Sequence, residues 1–230
     1  MSKLMSKSKL AIVLSNLEVF NDPKVRQEQY PTDSEVAASI LWNAYLLGDI
    51  EGRIIADLGC GTGILGIGAL LLGANKVTFV DMDKEALKTA KSNISKILEY
   101  FRHARKSKIF DISKVESESL EYARLVPQAE FICKDIQEVN AKVEVVLENP
   151  PFGTKVKHSD RLFLEKALET APIVYSFHKS ESKSFLEGFA VKKKARITHI
   201  WNFKFPLKAS FEFHRRQIHR INVSCFRFEK

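Results

Sequence analysis

Short β-branched runs alternate with helical patterns along this chain, and that alternation narrows its fold more than any other feature. Ile54–Leu58 reads as a strand, Ile64–Leu72 as a helix, Lys76–Asp81 as a strand and Lys84 to about Tyr100 as an amphipathic helix. Strands follow at Phe131–Cys133, Val143–Leu147 and Ile173–Phe177, with helices near Arg161–Thr170 and Lys183–Lys192. Repeated strand–helix–strand units specify an α/β fold, a parallel sheet covered by helices on both faces. The last two strand-like runs, Arg196–Phe205 and Arg220–Phe228, have no helix between them. A parallel return needs a long crossover, so the sheet is predicted to be mixed at its end. Ahead of the first strand, Thr32 or Asp33 is placed to cap a helix over Ser34–Leu47.

With 230 residues and 45% hydrophobic content the chain is long enough for one well-buried core, so residues 1–230 are read as a single domain. The longest mostly apolar run, Ile64–Ala74, is 11 residues and broken by glycines, whereas a bilayer span needs about 18. The apolar stretch Leu10–Leu14 is too short for the core of a signal peptide. No membrane association and a cytoplasmic location are the expectations. Three cysteines, Cys60, Cys133 and Cys225, are far apart, and no disulfide framework or metal site is expected from them or from the six histidines. Residues 101–128 form a charged insert between elements.

The net charge of +8 is unevenly placed. From Phe189 to Lys230, eleven lysines and arginines face only Glu212 and Glu229. Trp201, Phe203, Phe205, Phe211, Phe213 and Phe226 are interleaved with them. Cations attract phosphates and aromatic rings stack on bases, so nucleic acid is a natural partner for such a segment. The plainer reading of the aromatics is that they are the inward faces of strands.

The turn Asp57-Leu58-Gly59-Cys60-Gly61-Thr62-Gly63 follows a strand and opens a helix. Unpaired backbone N–H groups and absent Cβ atoms there suit the close approach of a nucleotide-like cofactor. Asp81 ends the next strand, where a carboxylate can accept hydrogen bonds from both hydroxyls of a ribose. Gly61-Thr62-Gly63-Ile64-Leu65-Gly66 also fits the dinucleotide pattern, which keeps a nicotinamide-dependent oxidoreductase open as a rival. The additional Asp57-x-Gly59 and the motif after the fourth strand favour S-adenosylmethionine.

That motif is Asn149-Pro150-Pro151-Phe152. Prolines fix φ and remove N–H donors, so the turn is stiff and its carbonyls are free for a ligand. Methyl transfer to a planar exocyclic amine is hard because the nitrogen lone pair is delocalised into the ring. The Asn149 side-chain oxygen and the Pro150 carbonyl can accept both amine hydrogens and draw the nitrogen toward tetrahedral geometry, while Phe152 stacks on the base. Attack leaves the nitrogen positive and acidic, so no strong general base is needed. N5 of a protein glutamine, another planar amide-like nitrogen, and N6 of a DNA adenine are alternative targets for such a turn.

On these residues the chain resembles the class I S-adenosylmethionine-dependent methyltransferases. More closely, it is similar to the methyltransferase-like protein five family. The resemblance runs through Gln29-Tyr30-Pro31-Thr32, the Asp57–Gly63 loop, Asp81-Met82-Asp83, Asn149–Lys155, Tyr175–Lys179 and Pro206–His214. It implies a Rossmann-like, mostly parallel seven-stranded sheet with an antiparallel edge strand, and N6 methylation of an adenosine in small-subunit ribosomal RNA. It further implies that residues 1–50 form a helical segment closing over the cofactor through Gln29 and Thr32. Asp57, Gly59, Gly61, Thr62, Gly63 and Ile64 would line the cofactor, Asp81 hold its ribose and Asp135 contact its adenine. Thr62 stands where relatives often carry a second cysteine. Asn149, Pro150, Pro151 and Phe152 would be catalytic, on a single-stranded or flipped adenosine. Lys155, Lys157, His158, Lys179, Arg215 and Arg216 are the candidate phosphate contacts. A small zinc-binding activator protein is the implied partner, adding a strand beside the third strand, next to the 101–128 insert.

Overall fold

The computed structural model describes residues 5–20, 31–106, 128–152, 159–207 and 219–230. Seven strands form one sheet: β1 (Ile54–Leu58), β2 (Lys76–Asp81), β3 (Ala129–Cys133), β4 (Val145–Glu148), β5 (Ile173–Lys179), β6 (Arg196–Leu207) and β7 (His219–Glu229). Their order is β3-β2-β1-β4-β5-β7-β6. The first five are parallel. The sheet is mixed at its end, as predicted, and the antiparallel strand is β7, inserted between β5 and the edge strand β6.

Alternation along the strands divides the core into two layers. Ile55, Val77, Phe79, Val145, Leu147, Tyr175 and Phe177 face one layer. That layer is covered by α1 (Lys7–Ser15), α2 (Ser34–Leu46), α3 (Ile64–Leu71) and α4 (Lys84–Lys106). Ala56, Leu58, Val80, Val146 and Val174 face the other, under α5 (Ser159–Thr170) and α6 (Lys183–Lys192).

Helix α2 starts where its capping residue dictates: Asp33 Oδ1 accepts from the N–H groups of Glu35 and Val36 at 3.0 and 3.2 Å. Helix α1 extends well beyond the short apolar stretch read from sequence. Ser6 caps it by accepting from Lys9 N–H, and its apolar residues Leu10, Ala11, Val13 and Leu14 are buried. Helix α4 runs on to Lys106, so the first six residues of the charged insert continue it; residues 107–127 lie outside the described residues.

The tail aromatics among the described residues belong to the core. Phe205, Phe226 and Phe228 are buried, and Trp201 and Phe203 pack on the first layer. Phe211 and Phe213 lie outside the described residues. Arg227 is likewise no nucleic-acid contact. Its Nε and Nη2 donate to buried Asp49 at 2.8 and 3.3 Å, and Tyr175 Oη donates to the same carboxylate at 2.6 Å. This cluster ties the connection before β1 to β5 and β7. Among the described residues no helix is long and apolar enough to cross a membrane.

Candidate active site

Strand register brings the site together. Leu58 pairs with Val80 on one side and with Glu148 on the other. Three segments therefore leave the sheet side by side: the Gly59–Gly63 loop after β1, Asp81–Asp83 at the end of β2, and Asn149–Phe152 after β4. Helices following β1 and β2 lie on one face and those following β4 and β5 on the other, so the crevice opens where the winding reverses.

The loop is held by carboxylates. Asp81 Oδ2 accepts from Gly61 N–H and Asp81 Oδ1 from Asp83 N–H, both at 2.8 Å. Asp57 Oδ2 accepts from Gly66 N–H at 2.8 Å in the first turn of α3. Burial raises both acids, Asp57 to about 7. A pyrophosphate here would meet Asp81, which already takes the loop N–H of Gly61, and Asp57, which takes the N–H of Gly66 in the first turn of α3, whereas neither acid repels a sulfonium cation. Gly66, the third glycine of the dinucleotide pattern, is accounted for by packing, since a Cβ there would lie 2.4 Å from Phe79 Cε1.

Gly59, Gly61 and Gly63 have φ of 65, 53 and 89°, a region that non-glycine residues rarely adopt. The space their missing Cβ atoms leave is taken by the protein, not held open as expected for a ligand. A Cβ on Gly59 would lie 2.7 Å from Phe163, one on Gly61 2.8 Å from Phe20, and one on Gly63 3.0 Å from Ala90. Thr62 is buried with its carbonyl turned toward α4, and Ile64 is half-buried at the start of α3.

Asn93 of α4, which sequence reasoning missed, organises this end of the site. It is fully buried. Its Nδ2 donates to Thr62 O and Glu18 O at 3.0 Å each, and its Oδ1 accepts from Glu18 N–H at 2.8 Å. One amide thus joins the N-terminal segment to the glycine loop. Its signal is legible in retrospect as a polar residue inside the apolar stripe of Ala86, Ala90 and Ile97.

At the other corner Asn149 Nδ2 donates to the buried Thr32 Oγ1 at 2.9 Å. Asn149 Oδ1 is buried with no hydrogen-bond partner. An amide oxygen in that state costs on the order of 1–3 kcal/mol unless a ligand satisfies it. Pro150 is buried and Pro151 half-buried. Phe152 is only 7% exposed and packs with the first core layer, so the stacking surface expected of it is not displayed in this conformation.

Asp135 lies past β3 on the same edge of the sheet, half-buried, and caps a 3-10 turn by accepting from Gln137 N–H. Lys179 ends β5 and lies 3.9 Å from Glu181. Gln29, Lys155, Lys157, His158, Arg215 and Arg216 fall outside the described residues. Among the described residues no cluster of three or more His, Cys, Asp or Glu could hold a metal ion.

The family model for ribosomal protein L11 methyltransferase (PrmA) matches residues 42–114. The Drosophila melanogaster rRNA N(6)-adenosine-methyltransferase Mettl5 is 33% identical, with 96% of this chain and 95% of the relative aligned. This chain belongs to the METTL5 family. The Danio rerio METTL5 is 30% identical over 97% of this chain and 99% of its own. The crystal structure of a candidate RNA methyltransferase from Pyrococcus horikoshii superposes with a TM-score of 0.80 at 39% identity, over 99% of this chain and 98% of that one. As a METTL5-family member the chain is a methyltransferase, and its cofactor is S-adenosylmethionine. The site fits that cofactor: each Asp81 oxygen accepts one backbone N–H and retains acceptor capacity for a ribose hydroxyl.

Proposed function

We propose that this METTL5-family chain methylates N6 of an adenosine in small-subunit ribosomal RNA. The observation that carries the reading is Asn149, whose amide nitrogen is anchored on Thr32 while its oxygen is left buried and unsatisfied. An exocyclic amine entering the crevice supplies the missing hydrogen. When bound, S-adenosylmethionine offers an electrophilic methyl group on a sulfonium.

The chain's own residues do the rest. Asn149 Oδ1 and the Pro150 carbonyl accept the two amine hydrogens and aim the nitrogen lone pair toward the glycine corner. Thr32 keeps the Asn149 amide from turning. Gln29 and Thr32 close over the cofactor, which Gly59, Gly61, Thr62, Gly63 and Ile64 line. Asp57 supports the loop, Asp81 holds the ribose and Asp135 meets the adenine. The methylated nitrogen is acidic and releases its proton to water. Stacking on Phe152 requires the base to displace what covers that ring. Lys155, Lys157, His158, Lys179, Arg215 and Arg216 bind phosphates around the flipped nucleotide.

The small zinc-binding activator docks by adding a strand to β3. Support comes from the position of β3 at the end of the strand order, and from its half-buried Phe131, which stacks on Phe79 at 4.8 Å. Such an edge is a template for strand addition. Mapping N6-methyladenosine in ribosomal RNA from cells with and without this chain tests the assignment. One small-subunit position is expected to lose its methyl group and to regain it with the wild type but not with Asn149→Ala; unchanged ribosomal RNA contradicts it.

A further inference from the structure

The chemistry above leaves one buried acid beside the catalytic turn without a role. Glu148 ends β4, next to Asn149, and its side chain is fully buried. Its register partner on β5 is Ser176, whose hydroxyl lies 2.6 Å from Glu148 Oε1. The same hydroxyl lies 2.7 Å from His178 Nε2. His178 Nδ1 is buried, has no hydrogen-bond partner and sits 4.0 Å from Asp160 Oδ2, in the first turn of α5. Ser176 and His178 are themselves buried. The chain of contacts therefore starts at the residue before the catalytic turn and ends on the helix that follows it.

We propose that Glu148, Ser176, His178 and Asp160 form a buried relay that holds both flanks of the catalytic turn. Ser176 and His178 act as positioning residues, and the proton on Glu148 sets the direction of the hydrogen bonds. The proposal rests on the reading of Asn149–Phe152 as the catalytic turn.

Counting hydrogens fixes the direction. Ser176 has a single hydroxyl hydrogen to serve two neighbours. Burial pushes Glu148 up to about 8 and His178 down to about 3, so at neutral pH the acid is protonated and the imidazole neutral. The groups acting on Glu148 are Asp57 of β1, Asp160 of α5, Ser176 of β5 and, from β7, the thiol of Cys225; the two acids favour its protonated form and the hydrogen bond from Ser176 opposes it. Glu148 then donates to Ser176, Ser176 donates to His178 Nε2, and the remaining ring hydrogen is on Nδ1, facing Asp160. Loss of one proton reverses the order. The Nδ1 hydrogen leaves past Asp160, which is 24% exposed; Nε2 takes the Ser176 hydrogen and Ser176 takes that of Glu148. The Nδ1 lone pair now faces the Asp160 carboxylate at 4.0 Å, so the weak attraction between the ring N–H and the start of α5 becomes a repulsion.

The test measures kcat, KM for RNA and calorimetric affinity for S-adenosylmethionine from pH 6.5 to 9.5, on single-stranded RNA containing adenosine. Wild-type kcat should fall severalfold above pH 8 with cofactor affinity unchanged, because the contact between His178 and Asp160 turns repulsive and α5 shifts against the catalytic turn. Glu148→Gln donates like the protonated acid and cannot ionise. It should keep kcat within about threefold at pH 7 and show no alkaline fall. Ser176→Ala, checked for a wild-type melting temperature, should lower kcat about tenfold at every pH. An alkaline fall that persists in Glu148→Gln overturns the relay, as does a folded Ser176→Ala with the wild-type profile. If Ser176→Ala does not fold, the glutamine variant decides. Asn149→Ala separates the two readings: activity in that variant removes the catalytic turn itself, whereas its inactivity beside a pH-dependent Glu148→Gln removes only the relay.

Discussion

Asn149 is held from one side only: its amide nitrogen rests on Thr32 Oγ1 at 2.9 Å while its oxygen stays buried without a partner. Removing the anchor should therefore damage orientation more than binding. Thr32→Val keeps the shape with which this residue is proposed to close over the cofactor and removes only the hydroxyl that holds Asn149, so it is expected to lower kcat roughly tenfold, the scale of one buried hydrogen bond, and to weaken S-adenosylmethionine binding by no more than about threefold. Steady-state kinetics beside calorimetry checks the split.

Asp81 carries the opposite burden. It pins Gly61 and is the proposed acceptor for the ribose, so Asp81→Ala should weaken S-adenosylmethionine binding by about a hundredfold or more, on the scale of charge-assisted hydrogen bonds. Isothermal titration reads it directly.

Gly61→Ala tests the glycine corner. Its φ of 53° is strained for alanine, and the new Cβ would lie 2.8 Å from the Phe20 ring. The expected outcome is about 1–3 kcal/mol of lost stability, together with weaker cofactor binding, read by thermal melts with and without S-adenosylmethionine.

Stability should also depend on pH through Asp57. Burial raises it from the usual carboxylate range to about 7. Between those values the native state keeps a proton that the unfolded chain has released, so rising pH through that window removes stability. Asp57→Asn lacks the titration. Its melting temperature relative to wild type should climb from pH 4 to pH 8; a constant difference would contradict the assignment.

The buried Asp49–Arg227 pair is structural. Asp49→Ala should cost on the order of 1–3 kcal/mol, because Tyr175 Oη loses its acceptor and Arg227 keeps only Glu229 and Thr198, seen as a lower melting temperature. The proposed catalytic turn and the glycine loop are not part of that pair.

Much of this was legible in the sequence because it is local. Ile54–Leu58, Lys76–Asp81 and Lys183–Lys192 form the elements read from their patterns, and a glycine loop after one strand with a proline turn after another points to a shared crevice. What escaped depends on contacts far apart in the chain. Asn93 looks like an ordinary helix residue until Glu18 and Thr62 are seen on either side of it. Glu148 reads as the polar end of a strand, and only the β4–β5 register sets it against Ser176. Helix α1 is not apparent in the sequence because its burial comes from α2 and α3, not from a long apolar run. The tail shows the reverse case, in which position overrides composition: Phe226 and Phe228 sit in the core, and Arg227 between them is spent on Asp49.

The most direct measurement supplies the purified chain with S-adenosylmethionine bearing an isotopically labelled methyl group and with single-stranded adenosine-containing RNA, then identifies the labelled product by mass spectrometry of nucleosides. Label on N6 of adenosine with the wild type, and none with an Asn149→Ala variant that still binds the cofactor, is the predicted result. Label elsewhere, or undiminished label with Asn149→Ala, would contradict it.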